Sequence, residues 1–154
     1  MSEVPGECLR LSASDLGLHR EVLRLYASAL DDTESYACHP PSDEYIASLL
    51  ERSDFMELVM IVDGRVVGAL SAYMLRKFEQ ERSEIYIYDL AVDEAHRRKG
   101  VATALIEALR PIAREANAHV IIVQAEKGDS PAEALYSTLG QMLDVSSFDI
   151  GVSA

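Results

Sequence analysis

The chain has 154 residues, the size of one domain, and is long enough to bury a core without disulfide bonds or a structural metal. Its 14 Lys and Arg residues against 26 Asp and Glu residues give a formal net charge of −12, which argues against nucleic acid as a partner because binding that polyanion requires basic residues. Apolar residues make up 49% of the sequence, which excludes a disordered chain. We therefore expect a single folded domain over residues 1–154.

The apolar runs and the cysteines indicate the cellular location of the protein. Runs such as residues 58–62 are far too short to cross a bilayer, and the first residues lack the pattern of a signal peptide. Cys8 and Cys38 are the only cysteines, and His39 beside Cys38 does not complete a metal-ligand set. We expect a cytoplasmic protein with reduced thiols, no bound metal and no membrane partner.

In chain order, the first half of the sequence predicts a short strand, two helices and a hairpin. The strand covers residues 9–12. Apolar residues at helical spacing predict a helix from Ser14 or Asp15 to about residue 30, and Ser42 caps a second helix that ends near residue 52. The polar residues 31–41 between them are typical of a loop. Residues 57–62 and 66–74 then form an antiparallel hairpin.

The second half predicts a central strand, two helices and two further strands. Residues 84–92 strongly favour β structure. A helix runs from about Gly100 to residue 116, and Pro111 kinks or breaks it. Residues 119–124 form the next strand, Ser130 caps a short helix, and residues 142–150 form a last strand. This order predicts an α/β fold with a mixed, mostly antiparallel sheet and helices on both faces.

A basic loop follows the central strand. Arg97, Arg98 and Lys99 form the densest basic cluster in the chain, and Gly100 then opens a helix. The free N–H groups of a first helical turn, the helix dipole and basic side chains all favour a phosphate. The sequence therefore predicts an anion site, with an ordinary surface helix start as the alternative.

Two motifs in this part of the chain resemble those of a known family. Arg97-x-x-Gly100-x-Ala102, placed after the strand that ends at Val92, resembles the signature (Gln/Arg)-x-x-Gly-x-(Gly/Ala) of the GNAT superfamily of acetyl-CoA-dependent N-acetyltransferases. Residues 134–140, Ala-Leu-Tyr-Ser-Thr-Leu-Gly, are similar to the family's second motif. The resemblance implies a GNAT-like fold, acetyl-CoA as co-substrate and transfer of the acetyl group to an amine.

The resemblance also implies how acetyl-CoA is held. The backbone of Leu90, Ala91 and Val92 would pair with the pantetheine arm, where this strand separates from its neighbour at a bulge. Tyr136 matches the family tyrosine whose hydroxyl protonates the departing thiolate; a tyrosine packed on the sheet is the alternative. The pyrophosphate would lie on the basic loop and the first helical turn, which comprise Arg97, Arg98, Lys99, Gly100, Val101, Ala102 and Thr103.

Asp89 is the leading candidate for the base that the reaction needs. An ammonium group has no lone pair, so the amine must lose a proton before or during its attack on the thioester. A charged side chain inside an apolar strand costs several kcal/mol unless it is solvated or paired, which indicates that Asp89 faces a cleft. The alternative is a bulge residue that is hydrogen-bonded to the backbone.

Further polar side chains are expected around the amine. Carboxylates on or after the central strands could serve as base or hold the substrate's other cations, and one of them, Asp129, stands where the family commonly has Asn. An acidic loop lies where the family's variable helices cover the acceptor site, although a solvated loop is the alternative there. The expected substrate-binding residues are Asp32, Tyr36, Glu79, Glu84, Glu126 and Asp129.

Longer stretches are similar to the aminoglycoside 3-N-acetyltransferases of bacterial resistance. They are residues 77–80, 84–92, 96–98, 102–106 and 148–150. The resemblance implies direct transfer of acetyl to the 3-amino group of an aminoglycoside in a ternary complex, which confers resistance. A chain of net charge −12 suits such a cationic small-molecule amine.

Other functions stay open at this point. Polyamine or protein N-terminal acetylation on the same fold is one alternative, and a non-catalytic acyl-CoA-binding regulator or a nucleotide-binding module is another. A covalent acyl carrier would have to be Cys38, with a lowered pKa. Related enzymes are often dimers, but the sequence does not determine whether this chain forms a homodimer.

Overall fold

The structure, a computed structural model, describes residue 3 and residues 5–153. Its contacts divide the chain into two compact units, one up to residue 124 and one from residue 125 onward. The organisation as a single domain stays a prediction. Among the described residues, no helix combines the length and the apolar content that crossing a bilayer requires.

The first unit contains a five-stranded sheet in the order β1-β2-β3-β4-β5. The pairs from β1 to β4 are antiparallel, and β4 and β5 are parallel. This confirms the mixed, mostly antiparallel sheet. The strands are β1 (Glu7–Arg10), β2 (Phe55–Val62), β3 (Arg65–Arg76), β4 (Ser83–Val92) and β5 (Ala118–Val123).

Five helices accompany the strands among the described residues. The predicted first helix begins after Asp15, and Ser42 caps the next long one by accepting a hydrogen bond from the Tyr45 N–H. A single 3₁₀ turn (Glu94–His96) lies in the basic loop. The first unit contains α1 (Leu16–Ala29), α2 (Thr33–Ala37), α3 (Asp43–Leu50) and α4 (Val101–Glu115), and the second contains α5 (Ser130–Leu139).

Helices cover both faces of the sheet. Ala69 of β3 is fully buried in one apolar cluster with Val22 of α1 and Ile46 of α3. Its neighbour Gly68 faces the opposite side, where the side chains of Val101 and Leu105 from α4 approach. The side chains of α4 are therefore packed against the middle of the sheet, and this fixes where its first turn lies.

Replacement of Gly68 by Ala is expected to lower the free energy of unfolding by about 1–3 kcal/mol. An added Cβ would lie 2.5 Å from Cγ1 of Val101, a stiff side chain that is itself buried. Urea denaturation measures the change. Gly17→Ala is the control, because nothing lies within 4 Å of its added Cβ and Ala favours a helix by about 0.5–1 kcal/mol. Equal stability of the two variants would contradict close packing at Gly68.

Three predicted elements differ from the structure. Residues 31–41 are not all loop, because α2 forms there once the Asp32 side chain accepts a hydrogen bond from the Ser35 N–H. Helix α4 runs unbroken through Pro111, which is exposed, so the Glu107 carbonyl that loses its partner is left to water. Helix α5 is capped by Asp129 rather than Ser130, since the Asp129 carboxylate accepts from the Ala132 N–H.

The predicted last strand, residues 142–150, is wrong. This segment has no regular structure, and its larger apolar side chains, such as Phe148 at 82% exposed, are open to solvent. A strand is stable only when a second strand supplies its hydrogen bonds. The described residues of the second unit contain the helix α5 and no such strand.

Candidate active site

A bulge in β4 turns Asp89 toward the layer of α1. Ser71 of β3 pairs with Asp89, whereas the next residue, Ala72, pairs with Ile87, so Tyr88 is the extra residue. Directly paired residues share a face, and Ser71 lies on the face that α1 covers, because it is hydrogen-bonded to Tyr26. Asp89 therefore points to this face, where it is partly exposed, and not into the core beneath α4.

Tyr36 of α2 contacts Asp89 directly. Its hydroxyl donates a hydrogen bond to Oδ2 of Asp89 at 2.5 Å. Burial raises the pKa of the Asp89 carboxyl; the hydrogen bond from Tyr36 opposes this, and the nearby charge of Asp32 adds to it. The structure thus brings together three residues that the sequence analysis proposed separately for the site.

The states of Tyr36 and Asp32 fit this arrangement. Burial and the adjacent Asp89 raise the pKa of the Tyr36 hydroxyl far above neutrality, so it stays a proton donor. Hydrogen bonding from the Ser35 N–H lowers the pKa of the Asp32 carboxyl, which stays ionised. The Asp32 carboxylate therefore caps α2 as an anion, whereas Asp89 has the higher proton affinity of the two.

Three tyrosines form an aromatic cluster beside Asp89 that the sequence analysis did not propose as a site. The Tyr88 ring lies edge-on to Tyr73 and Tyr86, at centroid distances of 6.2 and 6.0 Å. Tyr86 also donates its hydroxyl to Oε1 of Gln124 at 2.7 Å. Tyr88 is 64% exposed, so its ring is available to a ligand. The alternating tyrosines before Asp89 were the available sequence signal for this cluster. The bulge that brings the rings together is not visible in the sequence.

Glu79 and Glu84 lie at the other end of β4. Lys77 Nζ lies 3.5 Å from one carboxylate and 3.7 Å from the other, and His119 Nε2 lies 3.4 Å from Glu84. At about 3.3 Å per strand residue, Glu84 is roughly 15 Å from Asp89. The structure does not bring these two carboxylates to Asp89; it pairs them with cations of their own region.

The other predicted catalytic and substrate-binding residues, Glu126, Asp129 and Tyr136, belong to the second unit. Asp129 caps α5, and the exposed Glu126 accepts a backbone hydrogen bond from Asp129 at its carbonyl. Tyr136 lies in the middle of α5, where burial raises the pKa of its hydroxyl and the charge of Asp129 raises it further. Tyr136 is therefore a protonated phenol, the form that a general acid requires.

The strand edge after the bulge has the form that an extended ligand requires. The pairing of β5 with β4 ends at Val123, opposite Ile87, but β4 continues to Val92. Leu90, Ala91 and Val92 therefore extend past β5, and their backbone groups on that side have no partner in β5. Pantetheine carries amide groups that can add to such an edge as a further strand would.

The basic loop next to this edge is shaped for an anion. Arg97 donates a hydrogen bond from Nε to the Val92 carbonyl, and Arg98 and Gly100 have positive φ values of 60° and 81°. No side chain caps α4, and its first helical hydrogen bond runs from Ala104 to Gly100. The N–H groups without a helical partner belong to Val101, Ala102 and Thr103, beside the exposed Arg98 and Lys99. Together with the strand edge, these residues fit the pantetheine and pyrophosphate of acetyl-CoA.

Possible metal ligands and two cysteine thiols are further reactive groups of the chain. In residue 3 and residues 5–153, no three His, Cys, Asp or Glu residues cluster closely enough to hold a metal ion. Cys38 is exposed at the end of α2, and Cys8 lies in β1. The groups that the described residues offer for chemistry are a carboxylate, tyrosine hydroxyls and backbone N–H groups.

The sequence matches a family model and a curated protein. The model of the acetyltransferase (GNAT) family matches residues 22–141. A curated N-alpha-acetyltransferase of Saccharolobus solfataricus is 35% identical over 92 residues, and the match spans 53% of each protein, so the chain covers about half of that relative's length.

Solved structures are similar over nearly the whole chain. An aminoglycoside acetyltransferase from an uncultured soil metagenomic sample is 47% identical, with 96% of this chain and 98% of that chain covered and a TM-score of 0.93. A second aminoglycoside acetyltransferase from such a sample, in complex with sisomicin, is 28% identical with 96% of both chains covered and a TM-score of 0.87. With the family model matching residues 22–141, the chain belongs to the acetyltransferase (GNAT) family.

Proposed function

We propose that the protein transfers the acetyl group of acetyl-CoA to the 3-amino group of an aminoglycoside, and so confers resistance to it. The observation that carries the proposal is the carboxylate of Asp89, which the bulge of β4 turns toward the face covered by α1 and which accepts a hydrogen bond from Tyr36. It lies immediately before the strand edge that suits pantetheine. The 47% identity to an aminoglycoside acetyltransferase supports this acceptor class.

Each proposed residue has a defined task. Acetyl-CoA supplies the acetyl group as a reactive thioester when it is bound. Asp89 accepts the proton that the substrate ammonium must lose, through its free oxygen Oδ1, while Oδ2 stays bonded to Tyr36. Tyr136 donates a proton to the departing sulfur. Transfer is direct in a ternary complex.

Charge explains the choice of a cationic acceptor. Asp32 and Asp89 are close enough for one charge to affect the pKa of the other, and the whole chain carries a net charge of −12. A polyamine sugar is attracted to such a surface, whereas the phosphates are received at the basic loop. Glu126 and Asp129 of the second unit are proposed to hold further ammonium groups. Glu79 and Glu84 have a smaller part, since Lys77 lies beside both and Arg82 also pairs with Glu79.

Replacement of Tyr88 by Leu is expected to raise the KM for the aminoglycoside by about 3- to 10-fold and to leave the KM for acetyl-CoA unchanged. An exposed aromatic face attracts a cation by about 0.5–1 kcal/mol, and more once the pair is desolvated. Steady-state kinetics measure both constants. Phe78→Leu, in the turn between β3 and β4, removes an even more exposed ring far from Asp89 and serves as the control. An unchanged KM for the aminoglycoside in the Tyr88→Leu variant would show that this ring is not part of the acceptor site.

The regiochemistry is tested on the product. Purified protein, acetyl-CoA and gentamicin are incubated, and the acetylated product is isolated and assigned by two-dimensional NMR. We expect a single acetyl group on the 3-amino nitrogen. Acetylation at another nitrogen would overturn the 3-amino assignment, and the absence of any acetylated gentamicin would overturn the acceptor class.

Protein N-terminal acetylation is the second candidate function. The observation that favours it is the 35% identity to the N-alpha-acetyltransferase of Saccharolobus solfataricus. A peptide presents one α-ammonium group, so this function would not need the second carboxylate, Asp32, or the tyrosine cluster beside Asp89. The proposal also includes a cytoplasmic location, in keeping with the free thiols of Cys8 and Cys38.

A further inference from the structure

A chain of buried polar side chains lies behind Asp89 and takes no part in the reaction as proposed. Glu57 of β2 is 2% exposed, yet both of its carboxylate oxygens are bonded. Oε1 lies 2.5 Å from Nδ1 of His19, and Oε2 accepts a hydrogen bond from the Ser71 hydroxyl at 2.8 Å. The oxygen of Ser71 lies 2.8 Å from the hydroxyl of Tyr26. Such a network in a core is costly unless its members are satisfied, and no buried side-chain nitrogen or oxygen of these four residues lacks a partner.

The direction of these hydrogen bonds follows from the number of protons. Ser71 has one hydroxyl proton, and it donates that proton to Glu57. Tyr26 must therefore be the donor to Ser71. Burial, followed by the charge of Glu57, raises the pKa of Tyr26 well above its usual value, so its proton stays in place. The Tyr26 ring is thus fixed at its hydroxyl end by Ser71 and, through it, by Glu57.

Two residues of the network, Ser71 and Tyr26, lie close to the candidate base Asp89 or to its hydrogen-bond donor. Ser71 is the direct cross-strand partner of Asp89, but its proton is committed to Glu57 and is not available to Asp89. The Tyr26 ring lies edge-on to Tyr36, with the centroids 5.5 Å apart, and Tyr36 donates to Asp89. No member of the network donates to Asp89; the contact between the rings of Tyr26 and Tyr36 is what connects the network to the donor of Asp89.

We propose that Tyr26, anchored by Ser71 and the His19–Glu57 pair, is a positioning residue that holds Tyr36 against Asp89. The inference rests on the proposed role of Asp89 as base. Fixing Tyr36 keeps Oδ2 occupied and leaves Oδ1 of Asp89 as the oxygen that meets the amine. The titratable groups that interact with Asp89 are Tyr26 from α1, Asp32 and Tyr36 from the α2 region, Tyr73 from β3 and Tyr86 from β4, with Tyr88 adjacent in the chain; His19 and Glu57 are linked to them through Ser71 and Tyr26.

The variant Tyr26→Phe tests this, since it keeps the ring and removes only the hydroxyl. We expect kcat to fall by about 3- to 10-fold, the effect of one lost hydrogen bond, with the KM for acetyl-CoA unchanged. The acid limb of the pH–rate profile should move to higher pH, because a loosened Tyr36 stabilises the ionised Asp89 less. A role in folding alone would lower the thermal unfolding midpoint without moving the acid limb.

A double-mutant cycle with Tyr36→Phe makes the test specific. If Tyr26 acts through Tyr36, then Tyr26→Phe should add nothing in the Tyr36→Phe background, in either kcat or pH profile. Independent, multiplicative losses would overturn the inference. Asp89→Asn in the same assay separates the two proposals: an active Asp89→Asn variant contradicts the base, whereas an inactive one beside an unaffected Tyr26→Phe variant contradicts only the positioning role.

Discussion

Replacement of Asp89 by Asn is expected to lower kcat/KM for an aminoglycoside by about 10²- to 10⁴-fold, the contribution of a well-placed general base. Asn has the shape of Asp and its amide oxygen can still accept the hydrogen bond from Tyr36, so the geometry of the site is retained. The amide nitrogen and oxygen have no useful proton affinity. The loss should therefore lie in the chemical step, with the KM for acetyl-CoA unchanged.

The stability of the same variant distinguishes lost chemistry from lost structure. Because the folded state raises the pKa of Asp89, the fold favours the protonated carboxyl, and stability is lost as the pH rises through that raised pKa. Asn cannot ionise, so at pH 7 the variant should unfold at a temperature equal to or above that of the wild type, and the difference should vanish in acid. Thermal unfolding at several pH values measures this. An Asp89→Asn protein that is destabilised at pH 7, or one that keeps its activity, would contradict the account.

Reversal of the charge of two loop residues, Arg98→Glu with Lys99→Glu, is expected to raise the KM for acetyl-CoA by about 10- to 100-fold. These exposed side chains stand beside the uncapped N–H groups of α4, so carboxylates there would repel the pyrophosphate. At saturating acetyl-CoA, kcat should be unchanged. Steady-state kinetics at low and high salt test this, and the difference from wild type should shrink as salt screens the charges.

The matched control changes the same charge at the other end of the same helix. Arg110→Glu with Arg114→Glu gives an equal change of net charge, far from the first turn of α4. Its KM for acetyl-CoA should stay within about twofold of wild type, allowing for a small loss of helix stability. Equal effects of both double variants would show that acetyl-CoA responds to net charge and not to this loop.

Local rules in the sequence predicted most of the fold. Alternating and β-branched residues predicted β2, β3 and β4, and the capping residue Ser42 placed the start of α3. The failures concern interactions that are not local. Helix α2 depends on one capping contact of Asp32 in a polar segment, and residues 142–150 have the composition of a strand but, in their own unit, no strand to pair with.

The site was predictable where a residue conflicted with its surroundings. Asp89 was identified because a charge inside an apolar strand needs an explanation, and the structure provides it as a bulge and a bond from Tyr36. Glu84 lies in the same strand but pairs with Lys77 and His119, which periodicity cannot reveal. Glu57 and Tyr26 were missed because their partners are distant in the chain and each alone fits a helix or strand pattern.

The choice of an aminoglycoside as acceptor is tested by comparing three acceptors at one enzyme concentration. Release of CoA from acetyl-CoA is followed with gentamicin, spermidine and a short peptide with a free N-terminus. We expect kcat/KM for gentamicin to exceed that for either of the others by about 100-fold or more, as several cationic contacts of about 1 kcal/mol each would give. A higher kcat/KM for spermidine or the peptide, or no CoA release with gentamicin, would contradict it.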